Sequence, residues 1–139
     1  MINKKIAICI PHNYLTFNKQ FTLSLIAIIR TFEIWNATNN KGYFLDILVQ
    51  NSGSIDWMRN SLAMSAIKMD FDYILWLDTD MVFPTRSIIA MLESFEQDEK
   101  LEAVTGLYTW KQPPFLPHVY YKLNKETQKF KVAGGFPLK

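Results

Sequence analysis

Two aspartates, Asp78 and Asp80, follow directly after the apolar run 73–77. The run has the composition of a buried strand, and a buried strand cannot carry ionised side chains without a partner. We therefore expect the pair just past the strand's carboxyl end, the edge at which open α/β sheets bind ligands. Two close carboxylates repel each other, and a hard divalent cation that relieves this repulsion can in turn hold a diphosphate. The pattern predicts a Mg²⁺ or Mn²⁺ site on Asp78 and Asp80.

A simpler interpretation of the same two aspartates stays open. Both side chains would cap a turn before the helix that Pro84 opens, because aspartate and proline are both favoured where helices begin. Metal-dependent binding of a nucleoside diphosphate separates the two interpretations, since a turn residue has no part in it.

The elements that would position the aspartates alternate between strand and helix. Apolar, β-branched runs predict strands over residues 5–10, 44–49, 73–77 and 102–107. Apolar residues at helical spacing predict helices over 18–35, over 54–69 and from Pro84 to about Asp98. The order βαβαβαβ, with crossovers of these lengths, favours a Rossmann-like α/β fold with a mostly parallel sheet and flanking helices.

The last thirty or so residues have a different character. Lys111, Pro113, Pro114 and Pro117 indicate a rigid loop. Residues 118–123 and 129–132 alternate around the turn-forming segment 124–127, which predicts a short β-hairpin. We expect one domain over residues 1–139 that ends in this hairpin region.

Composition excludes several classes of protein. A net charge of +2, with Lys and Arg scattered along 139 residues, is too small for a nucleic-acid or anionic-membrane surface. The longest early apolar stretch, residues 23–29, is far too short to span a membrane, and no signal-peptide pattern precedes it, so we expect a cytoplasmic protein. The only cysteine, Cys9, lies in an apolar run and is predicted to be a packed, inert thiol.

Three motifs in a fixed order resemble a known enzyme family. They are Pro11-His12-Asn13 after the first strand, Met58-Arg59-Asn60-Ser61-Leu62-Ala63 on the second helix, and Asp78-Thr79-Asp80 after the third strand. With the sheet pattern, residues 4–108 look like nucleotide-sugar-dependent glycosyltransferases of the GT-A fold, especially family 2. The resemblance implies transfer of a sugar from a nucleotide-diphosphate sugar to an unknown acceptor.

The resemblance also implies a role for each motif residue. Pro11, His12 and Asn13 would border the nucleotide, and Arg59 with Asn60 would face the base or the diphosphate. Asp78 would accept a ribose hydroxyl or meet the metal, and Asp80, farther beyond the strand, would bind the metal directly. Outside the three motifs, Lys111 is a candidate for a second phosphate contact, with an exposed loop lysine as the alternative, and His118 is a candidate for the metal shell, with a structural histidine as the alternative. The metal would act as a Lewis acid for the departing nucleoside diphosphate.

Two features differ from the family. Members often have an acidic residue after the second strand, where this chain has Gln50-Asn51-Ser52-Gly53. The family's acceptor half and its general base come after the region present here. We therefore expect a donor-binding portion that transfers sugar poorly by itself. Apolar surface left uncovered around Phe115, Tyr120 and Phe136 would favour self-association.

Two other functions remain as alternatives. Asp78-Thr79-Asp80-Met81-Val82 also fits the strand end of haloacid-dehalogenase-type phosphatases, in which the first aspartate is a phosphoryl nucleophile. That family places the motif on its opening strand and needs a later lysine and acidic pair, which this order does not provide. The other alternative is a nucleotide-binding domain without catalysis.

Overall fold

The computed structural model describes residues 4–13, 16–98 and 100–106, together with the backbone of two strands near the C-terminus. The chain divides into two compact units, Met1–Glu93 and Ser94–Lys139. The prediction of one domain over all 139 residues stays a prediction. None of the helices within the described ranges is long and apolar enough to cross a membrane.

Strands and helices alternate through the first unit in the predicted order. They are β1 (Lys5–Pro11), α1 (Lys19–Thr38), β2 (Phe44–Gln50), α2 (Ile55–Lys68), β3 (Tyr73–Trp76) and α3 (Ser87–Gln97), the last of which runs into the second unit. Most boundaries lie within a few residues of the predicted ones. The predicted start of α3 at Pro84 was early, because residues 85–86 form a turn before the helix.

The three strands form a parallel sheet in the order β2-β1-β3. Ile6 of β1 lies opposite Leu45 of β2 on one side and opposite Tyr73 of β3 on the other. The α/β class and the open parallel sheet with flanking helices are therefore confirmed. Within the described sheet β1 is central and β3 is an outer strand.

The two faces of β1 bury different kinds of side chain. Ile6, Ile8 and Ile10 face a large apolar cluster that includes residues of α1 and α3, and Ala7 and Cys9 face a small cluster with Leu62 and Ala66 of α2. Successive strand residues point to opposite faces, so one short run supplies both clusters. α1 and α3 thus cover one face of the sheet and α2 covers the other.

Local signals explain where α1 and α2 begin. Asn18 caps α1 by accepting a hydrogen bond from the Phe21 N–H, and Ser54 caps α2 by accepting one from the Trp57 N–H. Gly53, just before the second cap, has a φ of +102°, and a Cβ there would lie 2.8 Å from the Trp57 ring. Only glycine fits this position without strain.

The predicted fourth strand is wrong over residues 102–106, which form no strand; Leu107 lies outside the described residues. Val104 is the only half-buried residue among them, so the segment has no apolar face to bury, and Gly106 weakens strand formation further. In the second unit, β4 (Tyr120–Asn124) and β5 (Lys129–Val132) pair antiparallel. The connecting residues 125–128 lie outside the described residues, so the hairpin ending stays a prediction.

Candidate functional site

The carboxyl ends of β1, β2 and β3 meet at one edge of the sheet, because the strands are parallel. Two backbone hydrogen bonds extend the pairing past the strands. The His12 N–H donates to the Gln50 carbonyl at 3.0 Å, and the Leu77 N–H donates to the Cys9 carbonyl at 3.1 Å. The residues after β1 and the aspartates after β3 therefore leave the sheet side by side.

Arg59 of α2 reaches this edge and contacts the first aspartate. Its Nη2 donates to Asp78 Oδ1 at 3.2 Å, and the two side chains are 47% and 45% exposed. An ion pair with this much exposure contributes at most about 1 kcal/mol to stability. Its importance lies in geometry, because it brings the helix motif and the aspartate motif together.

The segment Asp78-Thr79-Asp80 forms a turn that the Met81 N–H closes by donating to the Asp78 carbonyl at 3.3 Å. α3 begins only at Ser87, whose N–H and hydroxyl both donate to the Pro84 carbonyl. The Asp78 side chain accepts from Arg59 and not from the backbone of α3, so helix capping does not explain Asp78. Asp80 is exposed at the far end of the turn.

Two polar side chains, one from the N-cap of α1 and one from its first turns, hold the segment that contains the aspartate turn. Asn18 Nδ2 donates to the Thr79 carbonyl at 2.8 Å, while its Oδ1 accepts from the Phe21 N–H at 2.7 Å. The Ser24 hydroxyl accepts from the Phe83 N–H at 2.7 Å and donates to the Phe83 carbonyl at 3.2 Å. Sequence reasoning missed both contacts. The preference of asparagine for the cap of α1 was a readable signal, but nothing in the sequence links it to a carbonyl 61 positions away.

The last residue of β1 and the two residues after it differ in exposure. Pro11 and His12 are buried and Asn13 is exposed. The His12 ring packs against Phe17 at a centroid distance of 4.7 Å, and its Nδ1 has no hydrogen-bond partner within the described chain. Of the three residues expected to border a nucleotide, Asn13 is therefore the one whose side chain is open to solvent.

Comparison with protein-family models, with curated proteins and with solved structures gave no match. The interpretation of this edge therefore depends on its own residues and geometry.

The remaining predicted residues are placed unevenly. Asn60 is exposed beside Arg59 on α2, whereas Lys111 and His118 lie outside the described residues. Across residues 4–13, 16–98 and 100–106, no group of three or more His, Cys, Asp or Glu side chains is arranged to hold a metal ion. Two carboxylates nevertheless suit Mg²⁺ or Mn²⁺ when phosphate and water oxygens fill the other positions, which is how Mg²⁺ is commonly held beside phosphates.

Proposed function

We propose that the carboxyl edge of this sheet binds a nucleotide-diphosphate sugar together with Mg²⁺ or Mn²⁺. The chain would then be a glycosyltransferase of the GT-A type, or the donor-binding portion of one. The observation that supports this most is the contact between Arg59 and Asp78, because it joins two of the three motifs at the edge where the third also ends. Open α/β sheets bind nucleotides at this edge.

Charge supports a diphosphate ligand. Asp78 and Asp80 repel an anion, so they suit a diphosphate only if a cation lies between them and the phosphate oxygens. Arg59 adds a second positive group within 3.2 Å of Asp78, and its guanidinium can donate to a phosphate oxygen as well as to a carboxylate. Bound metal would supply Lewis-acid stabilisation of the leaving diphosphate.

Transfer needs more than donor binding. A base must lie within hydrogen-bond reach of the acceptor hydroxyl if the reaction inverts the anomeric carbon. Among the described carboxylates after Asp80, Glu93 and Glu96 lie on α3, and Glu93 is paired with Arg86 at 3.7 Å. The other two, Asp98 and Glu102, are exposed and do not follow a described strand. We therefore expect this chain to bind donor and to transfer sugar poorly by itself.

Isothermal titration of the purified chain with uridine or guanosine diphosphate, with and without Mn²⁺, tests the proposal. We expect binding only with the metal, and loss of that binding in Asp80→Ala. At about 100 times its dissociation constant, the nucleotide should stabilise the fold by about 2.7 kcal/mol. Glu33→Ala is the matched control, because Glu33 is an exposed carboxylate on α1 and its removal should leave binding unchanged.

Other results would point elsewhere. Equal nucleotide binding by wild type and Asp80→Ala would remove the metal role of Asp80. Hydrolysis of a phosphomonoester, lost in Asp78→Asn, would favour a phosphatase over a glycosyltransferase. Nucleotide binding without donor hydrolysis or transfer, even with added acceptors, would favour a domain that binds nucleotide without catalysis.

A further inference from the structure

We propose that Asn18 is a positioning residue for the aspartate turn. By holding the Thr79 carbonyl, its amide sets the directions in which the neighbouring Asp78 and Asp80 side chains leave the backbone. This inference rests on the proposed function, in which the turn binds a divalent cation and a nucleoside diphosphate.

The oxygen and the nitrogen of the Asn18 amide bond to different parts of the fold. Oδ1 accepts from Phe21 N–H at 2.7 Å and so belongs to the cap of α1, while Nδ2 donates to the Thr79 carbonyl at 2.8 Å. A single planar group thus joins the first turn of a helix to the residue between the two aspartates. A large rotation of the peptide that carries the Thr79 carbonyl would break this bond.

The helix is a rigid support for the turn. Phe21 and Ile28 of α1 are fully buried in the large apolar cluster, and Leu25 is almost so, which fixes the rotation of α1 about its axis. Ser24 on the same helix holds both backbone polar groups of Phe83. α1 therefore holds the segment 79–83 at both ends, with the Asn18 contact at the end that carries the carboxylates.

Positioning matters here because the two carboxylates of the turn, Asp78 and Asp80, repel each other. Two carboxylates flank Thr79, and their repulsion favours orientations that turn the side chains apart. A cation between them needs both in a converging arrangement, and a preformed arrangement lowers the cost of binding. A bond to Thr79 restrains the turn without occupying either carboxylate.

Substitutions can separate the capping of α1 by Asn18 from its hydrogen bond to the Thr79 carbonyl. Asn18→Ser and Asn18→Asp both retain a side-chain oxygen that caps helices well. Serine is too short to reach Thr79 in the same way, and aspartate has no N–H to donate to the carbonyl. Asn36→Ser is the matched control, because Asn36 of α1 also holds backbone polar groups through its amide, those of Tyr43 just before β2, at the opposite edge of the sheet.

The measurements are the melting temperature and the affinity for uridine diphosphate with Mn²⁺. We expect Asn18→Ser to melt close to wild type and to bind about two- to tenfold more weakly, the range for loss of one hydrogen bond. Asn18→Asp should bind at least as weakly and melt lower, because its carboxylate would also repel the Thr79 carbonyl oxygen. Asn36→Ser should melt lower and bind as wild type does. Wild-type affinity in both Asn18 variants would overturn the proposal.

If wild type binds no nucleotide, that result counts against the proposed function and says nothing about the role of Asn18. Amide hydrogen exchange then tests the role of Asn18 without a ligand. The Met81 N–H donates to the Asp78 carbonyl across the turn, and the Phe83 N–H donates to Ser24. In Asn18→Ser the Met81 amide should exchange about two- to tenfold faster, while that of Phe83 is unchanged. Unchanged exchange at Met81 would show that Asn18 does not position the turn.

Discussion

The two faces of the sheet bury side chains of different sizes. The face covered by α1 and α3 buries isoleucines of β1 against Phe21 and Phe32, whereas the face covered by α2 buries Ala7 and Cys9 against Leu62 and Ala66. Large side chains supply most of the apolar area removed from water, so the first face supplies most of the hydrophobic stabilisation. Alanine side chains allow close approach of two backbones, so the second face favours a helix held near the sheet.

The polar residues of the site come from both faces in different ways. α2 sends Arg59 to the sheet edge, where it contacts Asp78 directly. α1 sends Asn18 and Ser24, which contact only backbone groups of the segment 79–83. The face with small residues thus supplies a side chain that can meet a ligand, and the face with large residues supplies the support for the turn.

The largest effect on stability is expected on the face with large residues. Phe32→Ala removes a ring that is fully buried and that lies 6.3 Å from the Tyr43 ring and 6.1 Å from the Trp35 ring, centroid to centroid. We expect a loss of about 3–5 kcal/mol in the free energy of unfolding, measured by urea denaturation. Nucleotide affinity of the folded protein should not change. A loss below about 1 kcal/mol would contradict the large contribution expected of this face.

Enlarging a side chain on the face that α2 covers should lower the free energy of unfolding less than Phe32→Ala does. It should lower nucleotide affinity more. Ala66→Leu adds three carbons where α2 meets Ala7 and Cys9, and such overpacking costs about 1–3 kcal/mol. Because α2 must shift, Arg59 should lose its contact with Asp78, and nucleotide affinity should fall. Ala37→Leu, at an exposed position of α1, is the control for the larger side chain. Unchanged affinity in Ala66→Leu would separate the packing of α2 from the site.

Removing the ion pair tests the site with little effect on the fold. Arg59→Ala should change the free energy of unfolding by no more than about 1 kcal/mol, since both partners are nearly half exposed. It should weaken metal-dependent nucleotide binding by about tenfold or more, as expected for loss of a charge-assisted contact. Arg30→Ala, at an exposed position of α1, provides the comparison. Equal affinities of the two variants would exclude a ligand contact by Arg59.

The smallest effect concerns the thiol in the cluster of small residues. Burial raises the pKa of Cys9 from 9.0 to about 11. As the pH rises, the Cys9 thiol loses its proton in the unfolded chain before it does so in the folded chain. The stabilisation of the fold by the buried, protonated thiol is therefore complete below pH 9 and is lost as the pH rises toward 11. Urea titrations at pH 8 and pH 10.5 should show a smaller loss of stability in Cys9→Ala than in wild type. Rapid reaction of native protein with a thiol reagent at pH 8 would contradict the burial of Cys9.

Much of the fold was predictable because its signals are local. The alternation along β1, the cap residues Asn18 and Ser54, and the helical spacing of apolar residues in α1 each lie within one element, and the structure places those elements as predicted. The strand predicted over residues 102–107 was misleading for the same reason. Its composition favours a strand, yet a strand also needs a partner and a face to bury, and the described residues 102–106 have neither.

The candidate site was predictable in outline only. Parallel strands bring their carboxyl ends together, so the common edge of His12 and Asp78 followed from the order of elements. The reach of Arg59 to Asp78 and of Asn18 to Thr79 depends on how each helix is rotated against the sheet. That rotation is set by packing of the whole cluster, which no local pattern encodes.

The central position of β1 has a consequence for folding during synthesis. β1 leaves the ribosome before its two partner strands, and it gains one neighbour only after β2 is complete at Gln50 and the other only after β3 is complete at Trp76. The Lys5 N–H donates to the carboxylate of Asp72, which is synthesised 67 positions later. Contacts this distant in sequence slow folding. The nascent chain therefore carries an apolar strand that lacks one or both of its partners through most of the synthesis of the first unit, and this strand is the segment that a chaperone would have to protect.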